Sequence, residues 1–200
     1  MAYAYVVERD TKNMVSYSLE TRLFQDGIIK IDTEIDSDLA NEVQNQLLYL
    51  QSTLDPNSSN PADKTIKIYI NSPGGSVYDG LGIYDMMQLL IKQGYIIETV
   101  NIGMAASMGA LLLMAGSKGH RKSFPHSRIM VHELSSVAYG KASSMKDEMK
   151  EVEVLQKELD KIMEKHASEE LIDLCTRKDY WMSAYEAANH GIIDEVVEIE

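Results

Sequence analysis

Ser107 stands in Gly103-Met104-Ala105-Ala106-Ser107-Met108-Gly109. Before it, the β-branched run Ile96-Ile97-Glu98-Thr99-Val100-Asn101-Ile102 reads as a buried strand; after it, Ala110-Leu111-Leu112-Leu113-Met114-Ala115 reads as a buried helix. A hydroxyl at a strand-to-helix turn among alanines and glycines leaves room for a substrate carbonyl. The first free N–H groups of the helix favour negative charge there. That setting suits nucleophilic attack. Ala-x-Ser-x-Gly is similar to the G-x-S-x-G elbow, although a serine that only caps a core helix has the same local pattern. Ser127-Arg128-Ile129-Met130-Val131-His132 ends a further strand on a histidine, the usual base for such a hydroxyl. Upstream, Asn71-Ser72-Pro73-Gly74-Gly75-Ser76 puts adjacent glycines just after a strand, where backbone N–H groups can meet an oxyanion. It carries neither the Walker lysine nor G-x-G-x-x-G, so it is not a phosphate loop.

The elements that must position these residues follow from periodicity. Residues 1–18 form either an arm or a short hairpin, and Leu19–Phe24 is a helical turn. Asp26-Gly27 marks a turn before the strand Ile28–Ile31, and Ser37 is placed to cap an amphipathic helix with Leu39, Val43, Leu47, Leu48 and Leu50 on its apolar positions. Pro56–Pro61 is a surface loop, Ile66–Ile70 a strand, and Leu81–Ile91 a helix. Strand, glycine loop, helix, strand, Ser107 turn and helix make consecutive βα units, hence α/β class with a parallel sheet. In such sheets, sites gather at the carboxyl ends of strands, where Ser107 and His132 both lie. From Lys141 to His166 no Gly or Pro interrupts a narrow stripe of Met145, Met149, Val152, Leu155, Leu159, Ile162 and His166. This is one long helix, packed either on its own domain or on a helix of another subunit. Ser183-Ala184-Tyr185-Glu186 is a capping box, Gly191 ends that helix, and Ile192-Ile193 with Val196-Val197 close the chain as a small strand or strand pair.

Composition narrows the function classes. Two hundred residues suit one domain with a real core, and a net charge of −12 argues against nucleic acid. The single cysteine, Cys175, excludes an internal disulfide and fits a reducing compartment. Arg177 nearby is thin support for a reactive thiol. The N-terminus has no basic or apolar signal region, and no apolar run is long enough to cross a bilayer. A cytoplasmic protein is expected. His120, His126, His166 and His190 read as surface or helix-end residues, with no zinc pattern among them and no metal expected.

Asn71–Gly75, Gly103–Gly109 and Ser127–His132, in this order and spacing, resemble the proteolytic subunits of the Clp protease family, over about Tyr17 to Val197. The resemblance implies a fold shared with crotonases, a spiral of βα units with a protruding handle helix. Residues 1–18 would be an N-terminal arm or axial loop, and 19–200 a single peptidase domain with its handle at about 133–166. It implies a serine endopeptidase with Ser107 as nucleophile, His132 as base and an aspartate as orienter. Arg177-Lys178-Asp179-Tyr180-Trp181-Met182-Ser183-Ala184 matches the family segment that carries this aspartate, so Asp179 is the orienter and Asp173 the runner-up. Gly75 and Met108 would supply the oxyanion N–H groups, and the strand Glu133, Leu134, Ser135 would hold the peptide.

The same resemblance implies two stacked heptameric rings of this chain that enclose the sites. Unfolded polypeptide would come from a separate hexameric AAA+ ATPase of the ClpX, ClpA or ClpC type, with ATP used only there and no cofactor in this chain. The sequence departs from the family at three places. After His132 the family usually has Gln-Pro and a glycine pair, but here Glu133-Leu134-Ser135-Ser136-Val137-Ala138-Tyr139-Gly140 follows. Lys67 stands in the ATPase-docking strand where an aromatic is common, although Tyr69 remains. The Pro56–Pro61 loop and Lys92–Tyr95 are longer than usual. Two other classes compete: a non-catalytic ring subunit, and an acyl-CoA enzyme of the crotonase type, which needs no Ser/His/Asp set.

Overall fold

The computed structural model describes residues 5–10, 13–135, 141–176 and 178–199. The altered segment from Ser136 to Gly140 and the Arg177 beside Cys175 lie outside the described residues.

The chain opens on an antiparallel hairpin, β1 (Tyr5–Asp10) and β2 (Asn13–Ser18). Of the two readings for residues 1–18, the described part adopts the hairpin. Helix α1 (Leu19–Gln25) follows, capped by the Ser18 hydroxyl on the Thr21 N–H. The sheet begins with β3 (Ile28–Ile31), crosses through α2 (Ser37–Thr53) to β4 (Thr65–Ser72), and through α3 (Val77–Lys92) to β5 (Ile96–Ala106). After α4 (Met108–Met114) come β6 (Arg121–Ser123) and β7 (Arg128–Val131). The long helix α5 (Ala142–His166) and α6 (Glu169–Cys175) precede β8 (Tyr180–Ser183), α7 (Ala184–Asn189) and β9 (Glu195–Val196). Among the described residues these strands form a 7-stranded sheet in the order β3-β4-β5-β6-β9, with β7 also paired to β5 and carrying β8. Every pairing in it is parallel except β7 with β8.

Alternation explains β4. Ile66, Ile68 and Ile70 are fully buried, while Lys67 and Tyr69 lie on the half-buried opposite face. The centre of the core is α4, of which every residue from Met108 to Met114 is buried. It is apolar all round because it passes through the middle of the molecule.

Some local expectations shift. The cap of α2 is Asp36, whose carboxylate accepts from the Leu39 N–H at 2.9 Å, and Ser37 is the first helical residue. Aspartate and serine are both good caps, so adjacent ones compete. Leu48 is exposed, and Ala40 takes a buried place beside Val43, Leu47 and Leu50. Helix α3 starts at Val77 under a Ser76 cap, one turn earlier than Leu81. Its Gly80 lies against Met108, whose Cε would have to move to admit a side chain. Ile192 and Ile193 are buried but outside any strand, leaving β9 as the only closing strand among the described residues. Tyr95, after the Lys92–Gly94 turn, is buried and its hydroxyl donates to the Gln51 carbonyl at 2.7 Å.

Candidate active site

Strand β5 delivers Ser107 at its end, and the backbone there is unusual. Ser107 has φ 53° and ψ −122°, the sole positive φ outside glycine among the described residues. A non-glycine residue in such a region costs of order 1–3 kcal/mol unless its surroundings hold it. Here they do. The Ser107 N–H donates to the Met130 carbonyl on β7 at 2.9 Å, and the Ser107 carbonyl accepts from Ala110 and Leu111, which starts α4.

The serine occupies the N-cap position of α4, but its side chain makes no cap hydrogen bond. The hydroxyl instead lies 2.9 Å from His132 Nε2. A merely capping serine would have spent its oxygen on the helix. His132 follows directly on β7, and its Nδ1 faces Asp179 Oδ1 at 3.3 Å. With Nδ1–H directed at that carboxylate, Nε2 is the acceptor and the Ser107 O–H the donor. Asp179 arrives through strand register. Antiparallel β7 and β8 pair Val131 with Tyr180, and continuing the pairing by one residue sets His132 opposite Asp179. Asp173, the runner-up, lies on α6.

The glycine loop after β4 forms the other wall. Gly74 has φ +95°, and a Cβ there would sit 2.7 Å from both the Ser107 Cβ and the Ala106 carbonyl oxygen. Gly75 has φ +150°, and a Cβ there would overlap the Ile35 backbone. These close approaches require glycine. A short parallel bridge pins the loop: Ile35 N–H donates to Gly74 O and Ser76 N–H to Ile35 O, each at 2.8 Å. That pairing does not use the Gly75 N–H. The Met108 N–H belongs to the first turn of α4, whose donors have no intrahelical acceptor. Sequence reasoning missed Ile35, Ser72 and Asn71. Ser72 Oγ accepts from the Gly74 N–H at 3.1 Å and donates to the Thr33 carbonyl at 2.6 Å. Asn71 Oδ1 accepts from the Met104 N–H at 3.1 Å. Nothing local in the sequence announces these tertiary contacts.

Beside Ser107 and His132 opens a pocket of about 80 Å³, walled by Val77, Met108, Leu111, Met114, Leu159 and Met163. Leu134 and Ser135 border it and Glu133 is exposed next to them, so the segment after His132 runs along its rim. A hydrogen-bonded serine and histidine next to an apolar slot suit a peptide whose side chain enters the slot while its carbonyl meets Ser107.

The remaining histidines lie elsewhere. His166 ends α5, with Nε2 at 3.4 Å from the Tyr84 hydroxyl. Burial first, then the Arg121 and Lys165 charges, lower its pKa to about 4. His190 follows α7 and pairs with Ser168 Oγ at 3.0 Å. Among the described residues, no group of three or more His, Cys, Asp or Glu is arranged to hold a metal ion. Cys175 is buried, and burial raises its thiol pKa.

Comparison with known proteins decides the family. A family model described as Clp protease matches residues 11–200. The chain belongs to the Clp protease family. An ATP-dependent Clp protease proteolytic subunit from Bacteroides fragilis is 45% identical over 195 residues, covering 96% of this chain and 89% of that protein. The protein of the same name from Bacteroides thetaiotaomicron is 44% identical, covering 96% of this chain and 84% of its own length. That from Porphyromonas gingivalis is 42% identical, with 96% and 83% covered. As a member of the Clp protease family this chain is a serine-type peptidase, and its α/β fold with a parallel sheet of successive βα units agrees with that membership. No helix among the described residues is long and apolar enough to cross a membrane.

Proposed function

We propose that Ser107 is the nucleophile of this peptidase, His132 its general base and Asp179 the residue that orients the imidazole. The observation that carries this reading is the 2.9 Å contact between Ser107 Oγ and His132 Nε2 on a positive-φ turn. On attack, Ser107 Oγ bonds to the substrate carbonyl carbon as its proton passes to His132 Nε2. Asp179 stabilises the imidazolium. The carbonyl oxygen takes negative charge and accepts from the Gly75 and Met108 N–H groups, each worth about a hundred- to a thousand-fold in rate. His132 then returns the proton to the leaving amine. Water repeats the sequence to free the acyl group and restore Ser107.

The peptide lies along Glu133, Leu134 and Ser135 with an apolar side chain in the adjoining pocket. Residues 19–200 act as one peptidase domain with 1–18 as an axial loop and the handle at about 133–166. Two stacked heptameric rings of this chain enclose the sites in the cytoplasm, and a hexameric AAA+ ATPase threads unfolded polypeptide into them. No cofactor takes part in the peptidase step. The names of the relatives, ATP-dependent proteolytic subunits, support the ATPase partner. Labelling with a fluorophosphonate probe tests the reading. Wild-type protein reacts, and Ser107→Ala loses both labelling and peptide hydrolysis, about 10⁵- to 10⁶-fold in kcat. Assembled wild-type rings that stay unlabelled would instead indicate a non-catalytic subunit.

A further inference from the structure

The segment after His132 is tied to the long helix by one side chain. Gln156 of α5 accepts the Leu134 N–H on its Oε1 at 2.7 Å, and its own amide Nε2 donates to Asp160 Oδ1, one turn further along, also at 2.7 Å. The second bond fixes which end of the amide faces Leu134. Both Leu134 and Gln156 line the pocket that holds Ser107 and His132. We propose that Gln156 is a positioning residue: it holds the peptide-binding segment Glu133–Ser135 at the distance from Ser107 that a bound peptide requires. The proposal rests on the reading of Ser107 as nucleophile and of this segment as the peptide's partner strand.

Two physical points favour it. In extended backbone, neighbouring residues direct their N–H and C=O groups to opposite sides. Residues 133–135 lie outside any strand in this structure; drawn out along a peptide, with the Leu134 N–H committed to α5, they leave the groups of Glu133 and Ser135 to face it. The second point concerns residue type. A proline at position 134 would bring a fixed φ and no N–H. Leucine brings a free φ and a donor that needs an acceptor. Gln156 answers both needs, anchoring the backbone and satisfying the donor. A polar residue on a helix rich in lysine and glutamate gives no sign of this in the sequence.

Replacing Gln156 with methionine keeps the length of the side chain and removes the acceptor. With a peptide that extends on both sides of the scissile bond, Gln156→Met raises KM about tenfold, leaves kcat within about twofold, and leaves the rate of fluorophosphonate labelling unchanged. The probe is too small to need the segment. Gln156→Glu combined with Asp160→Asn retains an oxygen for the Leu134 N–H and a hydrogen bond to residue 160, and keeps KM within about threefold of wild type. Leu134→Pro removes the donor, and in that background Gln156→Met has no further effect on KM. An unchanged KM in Gln156→Met overturns the proposal. So does a loss of labelling in step with the rise in KM, which would assign Gln156 to general stability. Should Leu134→Pro not fold, the contrast between the methionine and glutamate variants decides alone. Unlabelled wild-type protein would sink the Ser107 reading, whereas labelled protein with unaltered peptide KM in Gln156→Met sinks only this inference.

Discussion

Helices α4 and α5 face opposite situations. Every residue of α4 is buried, and a turn of Ser107 at positive φ fixes its start. Helix α5 is more than three times as long, and its two halves differ. Leu159, Ile162 and Met163 near its end are buried in the core, whereas Met145 at 39% and Met149 at 51% exposure stand in solvent near its beginning. The two packing arrangements expected for this helix therefore divide it: the C-terminal half packs on its own domain, and the N-terminal half presents apolar side chains that nothing among the described residues covers. Burial within the chain holds the Ser107 turn in place. The outer half of α5 has no such burial among the described residues.

That contrast can be broken at its strong end first. Leu112, fully buried in α4, should cost about 3–4 kcal/mol when replaced by alanine, measured as a fall in the urea midpoint. A cost below about 1 kcal/mol would mean that α4 does not anchor the fold. Gly74→Ala places a methyl against Ser107 and should lower kcat/KM about a hundredfold, equivalent to ~2.7 kcal/mol. Unaltered kinetics would show that the glycine loop yields freely.

A smaller effect comes from His166, at the packed end of α5. Its pKa, lowered from the ordinary 6.5 to about 4, means that the unfolded chain binds the proton more readily. Stability is therefore full above about pH 6.5 and declines as pH falls toward 4. Allowing for solvent screening of a half-buried ring, the loss at pH 5 is about 1 kcal/mol. In His166→Gln the difference between urea midpoints at pH 7 and pH 5 should shrink accordingly; an equal slope removes His166 as its source. At the weak end, Met145→Glu with Met149→Glu should change the unfolding free energy of the isolated subunit by less than about 0.5 kcal/mol, as exposed sites do. Native mass spectrometry should nevertheless find single rings. Persistent double rings would take this half of α5 out of the contact.

Local chemistry was legible from the residues alone. The Ser183–Glu186 capping box forms as its spacing requires, with Glu186 Oε2 accepting from the Ser183 N–H at 2.7 Å. The strand-to-helix turn at Ser107 was legible because residue types change abruptly there, from β-branched to unbranched. Asp36 against Ser37 at the start of α2 was not, since two capping residues side by side compete and only the final chain direction chooses. Asp179 was found by family resemblance and not by physics, because nothing in the segment itself points to His132.

The sequence by itself determined the types and local backbone of the candidate site's groups: a hydroxyl at an accessible turn, a histidine at a strand end, adjacent glycines after another strand. Those follow from propensity and from interactions a few residues apart. Tertiary structure alone decided their distances. The antiparallel register of β7 with β8 brings Asp179 to His132, the Ile35 bridge holds Gly75 near Met108, and the descent of α5 over the pocket brings Gln156 to Leu134. The reason is physical: each contact joins residues far apart in the chain, so it exists only after the core beneath has set where the elements lie.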